Sequence, residues 1–155
     1  MDELDIKILD ILESNSREAF TEIAEKLNVS DATVHIRVKR LVDEGVIKKF
    51  TVALDYQKLG YPVTAFIEIK LGPGSIDRVM DILKRLNGVV DIYELHSHCD
   101  VLIKVKATDL NSLRNTVVEG IRGTLTEELI SDDVYTVLRV VREDETLRKD
   151  RVDVD

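Results

Sequence analysis

The sequence predicts an α+β protein with two domains: an N-terminal helix-turn-helix with a small wing, and a C-terminal ferredoxin-like βαββαβ domain with an antiparallel sheet. Two observations predict this class. Apolar residues recur at helical spacing through the first 45 positions, and residues 62–143 then alternate between strand-like and helical segments. With 155 residues and 44% hydrophobic content, the chain can bury a core in each domain.

The first helix is expected from Asp2 to about Glu13, and its apolar stripe consists of Leu4, Ile8, Leu9, Ile11 and Leu12. Thr21 is the expected N-cap of a second helix. The segment from Phe20 to Lys39 then carries apolar residues at the positions that a helix-turn-helix buries, namely Ile23, Leu27, Val29, Val34 and Val38. This spacing predicts two short helices that cross at a tight turn.

The residues at the crossing and the turn fit that geometry. Ala24 is small enough for the close contact between the two helices. Asn28 tolerates the positive φ that the turn requires, because its short polar side chain eases that conformation. Ser30 is the expected N-cap of the third helix, and Asp31 suits the positive end of the helix dipole. Gly45 marks the end of this helix.

The third helix is predicted to present one face to the core and the other to DNA. The inward residues are Val34, Val38, Leu41 and Val42. Recognition helices approach base edges with their N-terminal residues, while residues further along contact phosphates. The predicted DNA-binding residues are therefore Ser30, Ala32, Thr33, His35 and Ile36, followed on the phosphate side by Arg37, Lys39, Arg40, Lys48 and Lys49. The alternative is an amphipathic helix hairpin with a merely solvated basic face.

The net charge of −8 argues at first against a nucleic-acid partner. Basic residues nevertheless concentrate between positions 37 and 49, which predicts a local basic face on an acidic body. The acidic N-terminus is unlike a secretory signal, and the apolar runs are too short to cross a bilayer. A single cysteine, Cys99, cannot form an internal disulfide. We therefore expect a cytoplasmic protein without a membrane partner.

The predicted domains are a helix-turn-helix domain at 1–50, a strand linker at 51–61, a ferredoxin-like domain at 62–143 and a charged tail at 144–155. Residues 46–54 are expected to form a strand or small wing. In the second domain we expect strands at 62–71, 89–97, 99–107 and 128–142, with a hairpin turn around 97–100. Helices are expected at 75–86 and 109–121, beginning at Ser75 and Asp109.

One face of this sheet is expected to need a cover outside the chain. We expect its exposed apolar residues to include Ala65, Ile67, Ile92, Val101 and Ile103. An apolar sheet face of this size would promote aggregation in an isolated chain. The sequence therefore predicts that two sheets pack together in a homodimer.

Three segments resemble the Lrp/AsnC family of leucine-responsive, or feast/famine, transcription regulators. They are LDIKILDIL at 4–12, EIAEKLNVSDATVHIRVKRLVDEGVIKKF at 22–50, and KLG at 58–60. The resemblance covers nearly the whole chain. It implies a dimer that binds double-stranded DNA, assembles into tetramers or octamers, and responds to an amino acid or a related metabolite.

The resemblance also implies an effector site near the turn between the second and third strands of the C-terminal domain. The corresponding residues here are His96, Ser97, His98 and Asp100. Asp100 matches the family pattern, whereas Ser97 stands where glycine is common. A side chain at that position would crowd a ligand that needs close backbone approach. Ordinary amino-acid binding and an altered or inactive effector site both remain open.

The same turn suggests two further interpretations. His96, His98, Cys99 and Asp100 are ligand types for zinc or copper. In an extended hairpin the two histidines could converge, but Cys99 would point away from them unless the turn bends it. We therefore predict no metal, cofactor or catalytic residue. Sirohaem decarboxylases resemble the same two-domain arrangement, and His96 or His98 could serve as their acid. The acidic second domain disfavours that enzyme, and the basic cluster disfavours an interaction module without DNA binding.

Overall fold

The computed structural model describes residues 1–141 and residue 143. Two compact units are present in this part of the chain, Met1–Ala53 and Leu54–Glu143. The predicted tail at 144–155 and the predicted end of the last strand at residue 142 lie outside the described residues. No helix in the described part is long and apolar enough to cross a membrane.

The first unit contains three helices: α1 (Glu3–Ser14), α2 (Phe20–Leu27) and α3 (Asp31–Asp43). Asp2 caps α1 through a reciprocal capping box with Asp5. The prediction that Thr21 caps α2 is wrong, because Ala19 is the N-cap, two residues earlier, and makes no side-chain cap hydrogen bond. Asn28 adopts the expected left-handed conformation at φ 53°, where it ends α2.

The core of this unit lies between the three helices, and its buried members are Ile8, Leu12, Ile23, Ala24, Val34 and Val38. Leu27 and Val29 pack against it and are partly buried. The predicted core face of α3 is correct for Val34, Val38 and Leu41 but wrong for Val42, which is 43% exposed. Hydrophobic burial of these residues therefore holds the opposite side of α3 outward.

The strand predicted at 46–54 is not formed in this described segment, which has no regular structure. After α3, the Ile47 N–H donates to the Leu41 carbonyl at 3.0 Å, and Gly45 adopts a φ of 71°. Apolar side chains at Phe50, Val52 and Leu54 are each more than half exposed. A period of two is present in the sequence, but a strand also needs a hydrogen-bonding neighbour.

The second unit has the order β1 (Val63–Leu71), α4 (Ile76–Leu83), β2 (Val89–Glu94), β3 (Val101–Ala107), α5 (Leu110–Asn115) and β4 (Leu129–Thr136). A π-helical segment, Thr116–Arg122, continues α5. The sheet order is β2-β3-β1-β4 with antiparallel pairs throughout, which confirms the ferredoxin-like prediction. Helix α4 ends three residues before the predicted position 86, and β4 ends at Thr136 instead of continuing to 142.

The helices of this unit cover one sheet face. Ala65, Ile67, Val101 and Ile103 are buried in a core shared with α4, α5 and the π-helical segment, and Ile92 packs against it. The expectation that these five residues need a second copy to cover them is therefore wrong. The strand alternation was correct, but the helices of the same chain cover this face. The strand pairing places both polar and apolar residues on the opposite face of the sheet: Phe66, Glu68, Leu102, Lys104 and Tyr135.

Candidate nucleic-acid interface and β2–β3 turn

The outward side of α3 carries the residues predicted to read bases. Ile36 is 68% exposed, although it is a large apolar residue, and Ala32 and His35 are also exposed. The His35 ring stands edge-on to Phe20 at 4.7 Å between centroids, and its Nε2 lies 3.6 Å from an Asp31 carboxylate oxygen. These contacts hold the imidazole beside the first turns of α3 while leaving most of it accessible.

Ser30 and Thr33 form the N-terminal cap of α3. The Ser30 hydroxyl accepts a hydrogen bond from the Thr33 N–H at 3.1 Å and lies 2.8 Å from the Thr33 hydroxyl. The predicted capping role of Ser30 is therefore confirmed. Both hydroxyls are already engaged within the helix, so the Thr33 methyl group and the exposed Ala32 are the readily available surface here.

Arg37 and Arg40 do not project freely from α3, because both contact the start of α1. The Asp5 carboxylate is fully buried, and it accepts hydrogen bonds from the Arg37 guanidinium at 3.2 Å and the Arg40 guanidinium at 2.5 Å. Arg37 also pairs with Asp2. That pairing holds the pKa of Asp2 at about 2, below its ordinary 3.8, and raises the pKa of Arg37.

These ion pairs join residues more than 30 positions apart, so no local pattern indicated them. The three lysines of the predicted basic face differ from the two arginines. Lys39, Lys48 and Lys49 are exposed, and none has an ion-pair partner within the described chain. They are the cations left available for a polyanion.

The β2–β3 turn, residues 95–100, is tied to β1 by Asp100. The Asp100 carboxylate accepts hydrogen bonds from the Leu71 N–H at 2.8 Å and the Lys70 ammonium at 3.0 Å. The backbone contact and the lysine lower the pKa of Asp100. Its own N–H donates to the Ile69 carbonyl, and its carbonyl accepts from the Leu95 N–H at 2.8 Å. Asp100 therefore has a structural role in shaping the turn.

The four predicted effector residues do not act as one group. His96 and Asp100 line a cavity of about 490 Å³ beside the glycines of the β1–α4 loop. Its lining residues are Lys70, Leu71, Gly72, Pro73, Gly74, Ile76, Glu94, Leu95, His96, Asp100 and Ile130. Ser97 and His98 lie outside this lining and are hydrogen-bonded to each other at 3.1 Å.

His98 instead faces the sheet. Its Nε2 lies 2.9 Å from a carboxylate oxygen of Glu68, and the Tyr135 hydroxyl donates to the same oxygen at 3.2 Å. The negative carboxylate is the main reason that the pKa of Tyr135 is raised. Cys99 lies beside His98 and Glu68, with the three candidate ligand atoms within 4.8 Å of one another. The turn is bent rather than extended, so Cys99 does not point away from His98 as it would in an extended hairpin.

Comparisons with known proteins agree with both units. A family profile for winged helix-turn-helix DNA-binding domains matches residues 1–48, and a profile for the Lrp/AsnC ligand binding domain matches residues 64–147. An HTH-type transcriptional regulator of Pyrococcus furiosus is 38% identical over 149 residues, covering 93% of this chain and 95% of the relative. The regulator FL11 of the same organism is 34% identical, covering 81% and 87%.

Solved structures are similar over nearly the full length. The chain superposes on E. coli AsnC with a TM-score of 0.85 and 28% identity, covering 92% of this chain and 95% of AsnC. A transcriptional regulator of Neisseria meningitidis, solved as its L-Met complex, gives a TM-score of 0.85 at 22% identity, covering 95% and 96%. At that lower identity, the second similarity concerns the fold alone.

Proposed function

The chain belongs to the Lrp/AsnC family of transcription regulators, and we propose that α3 reads double-stranded DNA through Ala32, Thr33, His35 and Ile36 in the major groove. The exposure of Ile36 is the observation that carries this proposal. Ile36 is a large apolar side chain that is 68% exposed on a well-capped helix, and such a side chain can pack against the methyl groups of thymines. A helix is about 10–12 Å in diameter with its side chains, so α3 can enter the major groove, which is about 12 Å wide.

The phosphate contacts are assigned first to the lysines. Lys39, Lys48 and Lys49 are exposed and free of ion pairs within the described residues, so they can neutralise phosphates without breaking an internal contact. Arg37 and Arg40 hold α3 against α1, and any phosphate contact they make is shared with Asp2 and Asp5. Their main contribution is to fix the orientation of α3.

We propose that the protein acts as a homodimer that assembles further into tetramers or octamers. A two-fold dimer reads a pseudo-palindrome with half-sites about one helical turn apart, or a multiple of it. Exposed apolar side chains at Phe50, Val52 and Leu54 alternate as in a strand that lacks a neighbour. Pairing of this segment with a second copy would provide the missing hydrogen bonds.

The C-terminal unit is the ligand-binding domain of the family, and we propose the cavity beside His96 as the site for an amino acid or a related metabolite. Its volume of about 490 Å³ falls in the usual range for small-molecule sites, about 300–1,000 Å³. Because Asp100 is already bonded to Lys70 and Leu71, His96 and Glu94 are the better candidates for contacts with a ligand amino group.

The family assignment favours a regulator over a sirohaem-decarboxylase-like enzyme. We propose that the chain has no catalytic role and acts in the cytoplasm, where its DNA target would be available. Incubation of the purified protein with sirohaem would test the enzymatic alternative. A spectral change of the tetrapyrrole that depends on His96 or His98 would support it and contradict a purely regulatory role.

Fluorescence anisotropy with the chain's own promoter region tests the DNA-binding surface. A variant with Lys39→Ala, Lys48→Ala and Lys49→Ala is expected to bind much more weakly and with a smaller salt dependence. Lys7→Ala is the matched control, because Lys7 lies on α1 and pairs with Glu3 at 2.7 Å. Equal affinity and equal salt dependence for the triple variant and wild type would reject this surface. Arg40 is avoided here because its loss would also disturb the fold.

A further inference from the structure

We propose that Glu68, His98 and Cys99 bind a zinc ion at the outer end of the β2–β3 turn. The three side chains supply a carboxylate oxygen, an imidazole nitrogen and a thiolate sulfur, the three donor types that zinc uses in proteins. Two of them are neighbours in the turn, and the third comes from β1, 30 residues earlier. The site is separate from the cavity beside His96, whose lining includes none of the three.

The spacing of the ligand atoms is close to that of a metal site. Bonds of about 2.0–2.3 Å in a tetrahedron put ligand atoms about 3.3–3.7 Å apart. The ligand atoms here lie within 4.8 Å of one another, and His98 Nε2 and Glu68 Oε2 are 2.9 Å apart. Closure around the ion requires the most widely spaced pair to approach by at most about 1.5 Å. His98 is 76% exposed and can make that shift by rotating its side chain.

Outer contacts orient two of the three ligands. The Ser97 hydroxyl lies 3.1 Å from His98 Nδ1, so Nδ1–H can donate to it and leave the Nε2 lone pair for the metal. The Tyr135 hydroxyl donates to the Glu68 carboxylate at 3.2 Å and fixes its position on the sheet. Such supporting hydrogen bonds are the usual second layer of a zinc site. Ser97, which departs from the family pattern, thereby gains a role.

Cys99 supplies the thiolate. It is the single cysteine of the chain and is 3% exposed. When zinc binds, a Zn–S bond forms and the thiol proton passes to solvent. Three protein ligands leave a fourth tetrahedral position for water. The ion would thus add a second connection between the turn and β1, at Glu68, to the one that Asp100 makes with Lys70 and Leu71.

Titration of the full-length protein with Co²⁺, followed by displacement with Zn²⁺, tests this site without any DNA. Because the chain has one cysteine, a thiolate-to-cobalt charge-transfer band reports Cys99 alone. We expect the band to saturate at one Co²⁺ per chain and to disappear when Zn²⁺ is added. Absence of the band at saturating Co²⁺ would overturn the proposal.

Variants identify the other ligands. His98→Ala and Glu68→Gln are expected to weaken Co²⁺ binding at least tenfold, and His98→Ala should leave the fold intact because the side chain is mostly exposed. The control His96→Ala changes a histidine of the same turn that is outside the cluster, and its affinity should equal that of wild type. Unchanged binding by His98→Ala, or equal losses in His98→Ala and His96→Ala, would contradict the assignment. Failure here leaves the DNA-binding proposal untouched, since no measurement involves α3.

Discussion

In α3, the cap, the buried residues and the exposed residues all belong to one segment, Ser30 to Asp43. The β2–β3 turn is assembled differently: Asp100 is bonded to Lys70 and Leu71, and His98 to Glu68, about 30 positions earlier. Short-range patterns therefore describe α3 well and the turn poorly. The surface of α3 can be derived from the sequence, whereas the arrangement of the turn depends on the folded sheet.

The orientation of α3 nevertheless depends on contacts with distant residues. Removing these contacts should cause the largest loss of stability. Arg37→Ala with Arg40→Ala leaves the buried Asp5 carboxylate without a cation, which is expected to lower the free energy of unfolding of the N-terminal unit by about 3 kcal/mol. All four tyrosines lie between residues 56 and 135, so tyrosine fluorescence follows only the C-terminal unit. Urea unfolding should show an earlier loss of helical circular dichroism with an unchanged tyrosine transition.

Lys39→Ala is the control for this measurement, since Lys39 lies on the same helix and has no ion pair within the described residues. Its unfolding should match wild type to within about 0.5 kcal/mol. If the double variant unfolds like Lys39→Ala, the ion pairs with Asp5 do not hold α3 in place.

The corresponding change in the turn is Asp100→Ala. It removes the acceptor of the Leu71 N–H and of the Lys70 ammonium, and is expected to cost about 1–3 kcal/mol in the C-terminal unit. Tyrosine fluorescence during urea unfolding measures this cost. Asp81→Ala removes an exposed ion pair with Lys84 and should cost far less, about 0–1 kcal/mol. Similar losses in the two variants would mean that Asp100 does not secure the turn.

Several features of both regions could be predicted from the sequence. Asn28, Ser30, Gly45 and the alternation of Ala65 with Ile67 are local signals, and the structure has each as expected. Strand alternation defines two faces but does not say which one the helices cover, and the assignment of the uncovered face was therefore wrong. Alternation of apolar and polar residues likewise could not distinguish a formed strand from the unpaired segment at 46–54. The Asp5 ion pairs and the approach of Cys99 to Glu68 need the tertiary fold.

Substitution of Lys39 tests whether the lysines of the basic face contact phosphates or bases. Lys39→Ala should lower the slope of log K against log salt by about 0.9 per bound chain, and the DNA affinity at about 0.1 M salt by roughly eightfold. The loss should be similar for specific and random DNA, because phosphate contacts carry no sequence information. Anisotropy titrations at several salt concentrations measure both quantities. A loss confined to the specific site would instead assign Lys39 to base reading.

Acid should weaken the contact between α1 and α3, because it protonates Asp2. The expected loss of stability is smaller than that caused by the substitutions of Arg37 and Arg40 or of Asp100. Because pairing with Arg37 lowers the pKa of folded Asp2 from 3.8 to about 2, this group stabilises the fold above pH 4 and loses that contribution as the pH falls toward 2. Asp2→Asn keeps the oxygen that caps α1 but removes the charge. The difference in urea midpoint between wild type and Asp2→Asn should therefore shrink between pH 5 and pH 2; a constant difference would contradict the ion-pair origin.

Selection of bound fragments from random DNA shows whether the outward side of α3 reads bases. It is done in parallel with wild type, Ile36→Ala and Lys39→Ala. If Ile36 contacts a base, Ile36→Ala is expected to lose or change the preferred base at one position in each half-site, whereas Lys39→Ala selects the wild-type sequence with weaker binding. Selection of the wild-type sequence with undiminished preference by Ile36→Ala would contradict that contact.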